Sequence, residues 1–258
     1  MELSKNTVLI TGGTSGFGFE FASKLVALGN TVIITGRNLI KLEETKTLLP
    51  GVHAIQSDVS KKEDIISLYD SVVEQFPDLN ILINNAGEMR KIILHDHYEL
   101  PDITRELEIN LIGPMRMVQQ FLPHLKSKSN AAIMNVTSGI ALMSLPLAPV
   151  YSASKSGLRS YTQSLRVQLK NTKVKVFELV APGSSTPLND RFRSEAGPAA
   201  SGIVAPGKIV QEGIDGLKNN KYEIYPGPLK LLRFIIRYFP KFVLSQASKY
   251  GAKDMFGQ

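Results

Sequence analysis

The chain has 258 residues, a formal net charge of +7 and no cysteine. That length suits one large domain with a core of its own, and the lack of cysteine excludes disulfides, thiolate catalysis and cysteine-based zinc sites. Hydrophobic residues at 43% and charged residues at 21% are ordinary globular composition, which excludes disorder as the dominant state.

The charge is uneven. Lys230, Arg233, Arg237, Lys241, Lys249 and Lys253 face one acid, Asp254, so residues 229–258 hold +5 of the total and residues 1–228 only +2. A nucleic-acid partner is not expected, because no aromatic-interleaved basic face or binding motif accompanies the charge. The start lacks the basic, apolar and small-residue regions of a signal peptide. No apolar run reaches about 18 residues, so a cytoplasmic protein is expected.

In chain order, apolar β-branched runs predict strands at residues 7–11, 31–35, 52–56, 81–84, 131–137, 173–180 and 222–225. Amphipathic stretches between them predict helices at 17–28, 39–49, 61–76, 102–122, 151–169 and 206–218. Strands buried on both faces and alternating with helices predict an α/β fold: a doubly wound parallel sheet of about seven strands with helices on both faces. Residues 184–202 are rich in Ser, Pro, Ala and Gly, and a lid is expected around 187–205. One domain is expected over residues 1–228, followed by a basic, amphipathic extension over 229–258.

Thr11-Gly12-Gly13-Thr14-Ser15-Gly16-Phe17-Gly18 joins the first strand to the first helix. There Gly12 can take the sharp turn, Gly16 can admit a pyrophosphate against the backbone, and Gly18 can let helix and sheet approach. The helix N-terminus adds free N–H groups for an anion. A flexible glycine turn without a ligand remains the other reading. A Walker A loop is excluded, since Phe19 stands where a Lys is required, and no Gly-x-Ser-x-Gly elbow occurs. The second strand ends in Gly36-Arg37-Asn38. An acid near this position would accept from the ribose hydroxyls of NAD, whereas a guanidinium can pair with a 2′-phosphate. Arg37 therefore favours NADP(H), with NAD(H) as the alternative.

Tyr151 and Lys155 are spaced to share one helix face. Ser138 ends the preceding apolar strand, at the carboxyl edge where ligand chemistry occurs in open parallel sheets. Asn110 lies in the helical stretch before that strand.

The glycine loop, Asn84-Asn85-Ala86-Gly87 and Ser138…Tyr151-x-x-x-Lys155, in this order, resemble the short-chain dehydrogenase/reductase family with its three-layer Rossmann fold. The resemblance covers residues 5–225. It implies hydride transfer between a nicotinamide cofactor and a carbonyl or alcohol. Tyr151 is then the general acid/base, Lys155 lowers its pKa and holds the nicotinamide ribose, Ser138 orients the substrate oxygen, and Asn110 fixes a water in the proton relay. Asp58-Val59 resembles the family's adenine contact, and Asn85, Ala86 and Gly87 its central-strand loop along the cofactor. Pro182, Gly183, Ser184 and Thr186 resemble its nicotinamide loop. Thr186 lies four residues after Pro182 where the family has five, which leaves the register of Ser184 and Thr186 open by one step. Phe17 replaces a small aliphatic residue of the family pattern. Residues 151–187 and those after Gly227 resemble a tail-bearing bacterial branch linked to D-alanylation of teichoic acids. The family commonly forms homodimers and homotetramers through the helices of Asn110 and Tyr151.

The apolar residues 139–150 would flank the substrate side of Ser138, and Asp190, Arg191 and Arg193 of the lid could meet a polar group of the substrate. His53, His95, His97 and His124 read as surface residues, and no metal is expected. The tail admits two readings: packing on protein, which is the simpler, or resting on an anionic membrane. A catalytically silent, cofactor-binding regulator or cell-envelope accessory protein is the alternative to an enzyme.

Overall fold

The computed structural model describes residues 2–196, 204–250 and 252–256. Its strands are β1 (Thr7–Thr11), β2 (Thr31–Gly36), β3 (Val52–Gln56), β4 (Leu79–Asn84), β5 (Ala131–Ser138), β6 (Val174–Ala181) and β7 (Glu223–Ile224). They form one seven-stranded sheet in the order β3-β2-β1-β4-β5-β6-β7, and every pairing is parallel. The helices are α1 (Gly16–Ala27), α2 (Leu39–Leu48), α3 (Lys62–Gln75), α4 (Gly113–Lys126), α5 (Pro149–Gln168), α6 (Pro187–Ala196), α7 (Pro206–Lys218), α8 (Leu229–Tyr238) and α9 (Pro240–Lys249), with shorter turns between.

Successive residues of a strand point to opposite faces, and both faces here are covered. Val8 and Ile10 pack with Phe21 and Leu25 of α1 and with Ile209 and Ile214 of α7. Leu9 turns the other way, into a core with Ile65 and Leu68 of α3, Phe121 of α4 and Leu165 of α5. This explains why the central strands read as continuous apolar runs.

Three segments differ from the sequence expectation. The helix expected over 102–122 is broken into turns at Leu100–Ile103 and Arg105–Leu107, a π-helical turn at Glu108–Ile112, and α4, which runs on past Pro123. Pro114 has no N–H, so the regular bond to the Asn110 carbonyl cannot form and the ladder loosens there. The first part of the expected irregular lid is the helix α6. Residues 197–203 and the side chains of Arg191 and Arg193 lie outside the described residues, while Asp190 is exposed. Finally, β7 is only two residues long, at the sheet edge. Among the described residues no helix is long and apolar enough to cross a membrane.

Candidate active site

The strand order reverses between β1 and β4, which opens a crevice at their carboxyl ends. Thr11 ties its two sides together. Its Oγ1 accepts from the backbone N–H groups of Asn85 and Ala86, each at 3.0 Å. Asn85 donates through Nδ2 to the carbonyls of Thr11 at 2.9 Å and Gly12 at 3.1 Å. Asn84 is buried beneath this clamp and donates to Asn135, which donates to Thr162.

The glycine loop sits on that support. Gly12 and Gly16 have φ of +68° and +54°, which side-chain-bearing residues rarely adopt. A Cβ on Gly18 would stand 2.1 Å from the Gly12 carbonyl oxygen and 2.6 Å from Asn85 Nδ2. Gly18 is therefore buried at the helix–loop contact, below the cleft surface. Ser15 at the N-cap of α1 makes no side-chain capping bond, which leaves the first-turn N–H groups to a ligand.

An open cleft of about 710 Å³ extends from this loop, a volume within the range of small-molecule and cofactor sites. Gly12, Thr14, Ser15, Gly16 and Phe17 line it beside Arg37 and Asn38, with Asp58 and Val59 on the same rim. Asn85, Ala86 and Gly87 form its middle, and Ser138, Tyr151, Lys155, Pro182, Gly183 and Thr186 its other end. Arg37 is exposed. Asn38 also caps α2, its side-chain oxygen accepting from Lys41 N–H at 3.0 Å.

Three expected residues are outside the lining. Gly18 supports the loop as described. Ser184 is buried, its Oγ donating to the Val204 carbonyl at 2.6 Å while its own carbonyl accepts from Asn189 Nδ2 at 2.8 Å. Thr186 does line the cleft, its side chain 3.4 Å from where a Cβ of Gly16 would be. Asn110 is fully buried, with Oδ1 accepting from Glu88 N–H at 2.9 Å and Nδ2 donating to the Glu88 carbonyl at 2.8 Å and Ser154 Oγ at 3.1 Å. Its side chain holds the Glu88 backbone next to Gly87.

Ser138, Tyr151 and Lys155 come together where β5 meets α5. Lys155 Nζ donates to the Val136 carbonyl at 3.0 Å and lies 5.7 Å from the Tyr151 ring centroid. Burial pushes the Tyr151 phenol up to about 12; a hydrogen bond with Ser138 pulls it down and the nearby Glu106 charge pushes it further up. Burial also lowers the Lys155 ammonium to about 8. Among the chain's own groups, desolvation outweighs any pull of Lys155 on the tyrosine, so Tyr151 is a neutral phenol near pH 7.

Other residues at or behind the cleft were not expected. Lys41, one helical turn beyond Arg37, adds a second cation at that end. Pro228, Leu229 and Leu232 also line the cleft. Glu106 is fully buried and pushed up to about 7, chiefly by desolvation. Its Oε1 accepts from Arg90 N–H at 3.0 Å, and Arg90 is anchored to Asp102 at 2.8 Å. Among the described residues no cluster of three or more His, Asp or Glu is placed to hold a metal ion.

The sheet, its glycine loop at the switch point and the Tyr–Lys pair at its edge are the framework of a dehydrogenase of the doubly wound class. Residues 6–197 match the family model described as short chain dehydrogenase, and the chain belongs to the short-chain dehydrogenase/reductase family. It is 41% identical over 225 residues to the uncharacterized oxidoreductase DltE of Bacillus subtilis (strain 168), spanning 87% of this chain and 89% of that protein. A short chain dehydrogenase/reductase from Burkholderia phymatum, solved in complex with NAD, superposes with a TM-score of 0.83 at 24% identity, covering 95% of this chain and 96% of that one. A short chain dehydrogenase from Burkholderia cenocepacia J2315, solved with NADP, gives 0.82 at 22% identity, covering 96% and 99%.

Proposed function

We propose that the chain is an NADP(H)-dependent carbonyl reductase or alcohol dehydrogenase in which Tyr151 is the proton donor and acceptor. The observation that carries this is the single cleft joining the glycine loop to Ser138, Tyr151 and Lys155. The residues present fit a dinucleotide. Gly12, Thr14, Ser15, Gly16 and Phe17 would hold its pyrophosphate, Asp58 and Val59 its adenine, and Asn85, Ala86 and Gly87 its central stretch. Lys155, Pro182, Gly183 and Thr186 would hold the nicotinamide end. When bound, that group supplies or accepts hydride.

The chain's own residues supply the rest. Ser138 can donate to the substrate oxygen as negative charge develops there. Tyr151, neutral and buried, can give that oxygen its proton. Lys155, an ammonium in the same wall 5.7 Å from the Tyr151 ring centroid, can stabilise the phenolate left when the proton is given up. The Asn110 side chain is fully engaged, so its carbonyl, deprived of the usual partner by Pro114, is the group that would hold a relay water. Ile140, Met143, Leu188 and Leu232 make the substrate end largely apolar, which suits a carbonyl or alcohol with an apolar portion. On α5, Ala153, Ser156, Ser160 and Ser164 face outward; these small residues support close approach of a second copy in a homodimer or homotetramer.

NADPH oxidation measured against a panel of carbonyl compounds tests the activity. Turnover is the expected result; silence across the panel with cofactor affinity retained would favour a binding regulator instead. The cofactor preference rests on Gly36 and Arg37 standing where an acid would suit NAD, with Lys41 beside them. A charge-assisted hydrogen bond contributes about 1.5–3 kcal/mol. Arg37→Ala is therefore expected to lower the NADP⁺/NAD⁺ ratio of kcat/KM roughly 10- to 100-fold, and adding Lys41→Ala should lower it further. An unchanged ratio in the double variant would refute the assignment.

A further inference from the structure

The C-terminal helices carry two opposed apolar faces, and the protein uses only one. In α8, Leu229 and Ile236 are buried, and Leu229 packs with Val180 and Tyr225. In α9, Val243 and Ala247 are buried. At about 100° per residue, Leu231, Phe234, Ile235 and Tyr238 fall on the side of α8 opposite Leu229. They are 69%, 47%, 39% and 67% exposed, and Phe239, Phe242 and Leu244 extend the exposed series. A single exposed apolar residue is ordinary; seven large ones within residues 231–244 form a patch that calls for an occupant.

The charges around the patch select the occupant. Residues 229–250 contain no Asp or Glu. Lys230, Arg233 and Arg237 fall on a third sector of α8, between its two apolar faces, and Lys241 and Lys249 are exposed on α9. Lys230 meets Glu212 at 2.9 Å, and the Arg233 guanidinium lies over the Tyr225 and Phe234 rings at 4.6 and 4.7 Å. Among the described residues no carboxylate pairs with Arg237 or Lys241.

We propose that this face docks on an anionic lipid bilayer. Its aromatic and aliphatic residues enter the acyl boundary, while Arg237, Lys241 and their neighbours meet the head groups. A second copy fits less well, because a two-fold contact sets a surface against itself and would oppose these cations to each other. The inner side of α8 meanwhile lines the cleft through Leu229 and Leu232, so docking sets one wall of the cleft beside the lipid. The proposal is independent of the catalytic assignment.

The test is co-sedimentation of the full chain with phosphatidylcholine vesicles, with and without phosphatidylglycerol. Binding to the anionic vesicles is expected to exceed binding to the neutral ones about ten-fold or more. It should weaken several-fold as salt rises from about 0.1 to about 1 M and the screening length shrinks from about 10 to about 3 Å. Leu231→Ser with Tyr238→Ser should abolish it, and Arg237→Glu with Lys241→Glu should do the same. None of these four residues lines the cleft, so cofactor affinity should be retained and reports folding. The surface charge pair serves as the second test if the apolar pair misfolds. Weak binding to both vesicle types, equal binding to both, or binding unchanged in both variants overturns the proposal. So does a wild-type dimer, seen by light scattering without vesicles, that Leu231→Ser with Tyr238→Ser turns into a monomer; the face would then belong to a second copy.

Discussion

Replacing Tyr151 with Phe is expected to lower turnover by about 10²–10⁴-fold while leaving nicotinamide-cofactor affinity nearly unchanged. The substitution removes one oxygen from a buried ring and leaves the packing around Leu147 and Ala148 in place. What is lost is the proton that a reduced carbonyl must receive. The phenol is suited to donate it, because burial holds it near 12 and hence protonated throughout the neutral range. Ser138→Ala makes a useful companion. It removes the hydrogen bond that pulls the phenol down and the donor to the developing oxyanion, so kcat should fall with little change in cofactor binding. Steady-state kinetics paired with fluorescence titration of NADPH checks both. Turnover within about two-fold of wild type in Tyr151→Phe, far from the expected range, would remove Tyr151 from the mechanism.

The parts of the fold that were legible in the sequence are those governed by local rules. Val8-Leu9-Ile10 and Val32-Ile33-Ile34 are buried on both faces, so continuous apolar runs marked central strands. The glycine loop was legible because its positions have steric causes that few other residues satisfy, such as the contact of Gly18 with the Gly12 carbonyl. Tyr151 and Lys155 were legible as a pair because they lie one turn apart on one helix. The remainder depends on tertiary contact. The interruption at Glu108–Ile112 is hidden in an amphipathic pattern that reads as one helix; Pro114 was the available signal, since its missing N–H falls four residues after Asn110. Glu106 looks like a solvated carboxylate until Arg90 and Asp102 are placed beside it. Lys41 reads as one lysine of a polar helix, and only the direction of α2 turns it toward the cleft. Leu229 and Leu232 reach the cleft from far along the chain through packing on Val180 and Tyr225, which no local periodicity reports.

Lys155→Met is expected to impair turnover and at the same time to stabilise the protein at pH 7. Burial lowers the Lys155 ammonium from 10.5 to about 8. Below pH 8 the side chain is charged both folded and unfolded, so the whole cost of burying the charge opposes folding. Between about 8 and 10.5 the folded chain gives up the proton first. The unfolded state then binds more protons, and stability rises with pH across that window. At about 1.36 kcal/mol per pH unit, the cost at pH 7 is roughly 3 kcal/mol, offset by about 1 kcal/mol for the hydrogen bond to Val136. Met fills a similar volume without the charge, so a gain of about 2 kcal/mol remains, or roughly 4–8 °C in Tm for a chain of this size. The pH dependence distinguishes this cause from a general packing improvement. The Tm advantage of Lys155→Met should narrow as pH rises from 7 toward 10, because wild type loses its penalty while the variant has none to lose. An advantage that stays constant with pH, or none at pH 7, would show that the folded chain buries no charge at this position. A stabilised but inactive variant would mean that the fold bears the cost of the buried ammonium for the chemistry at Tyr151.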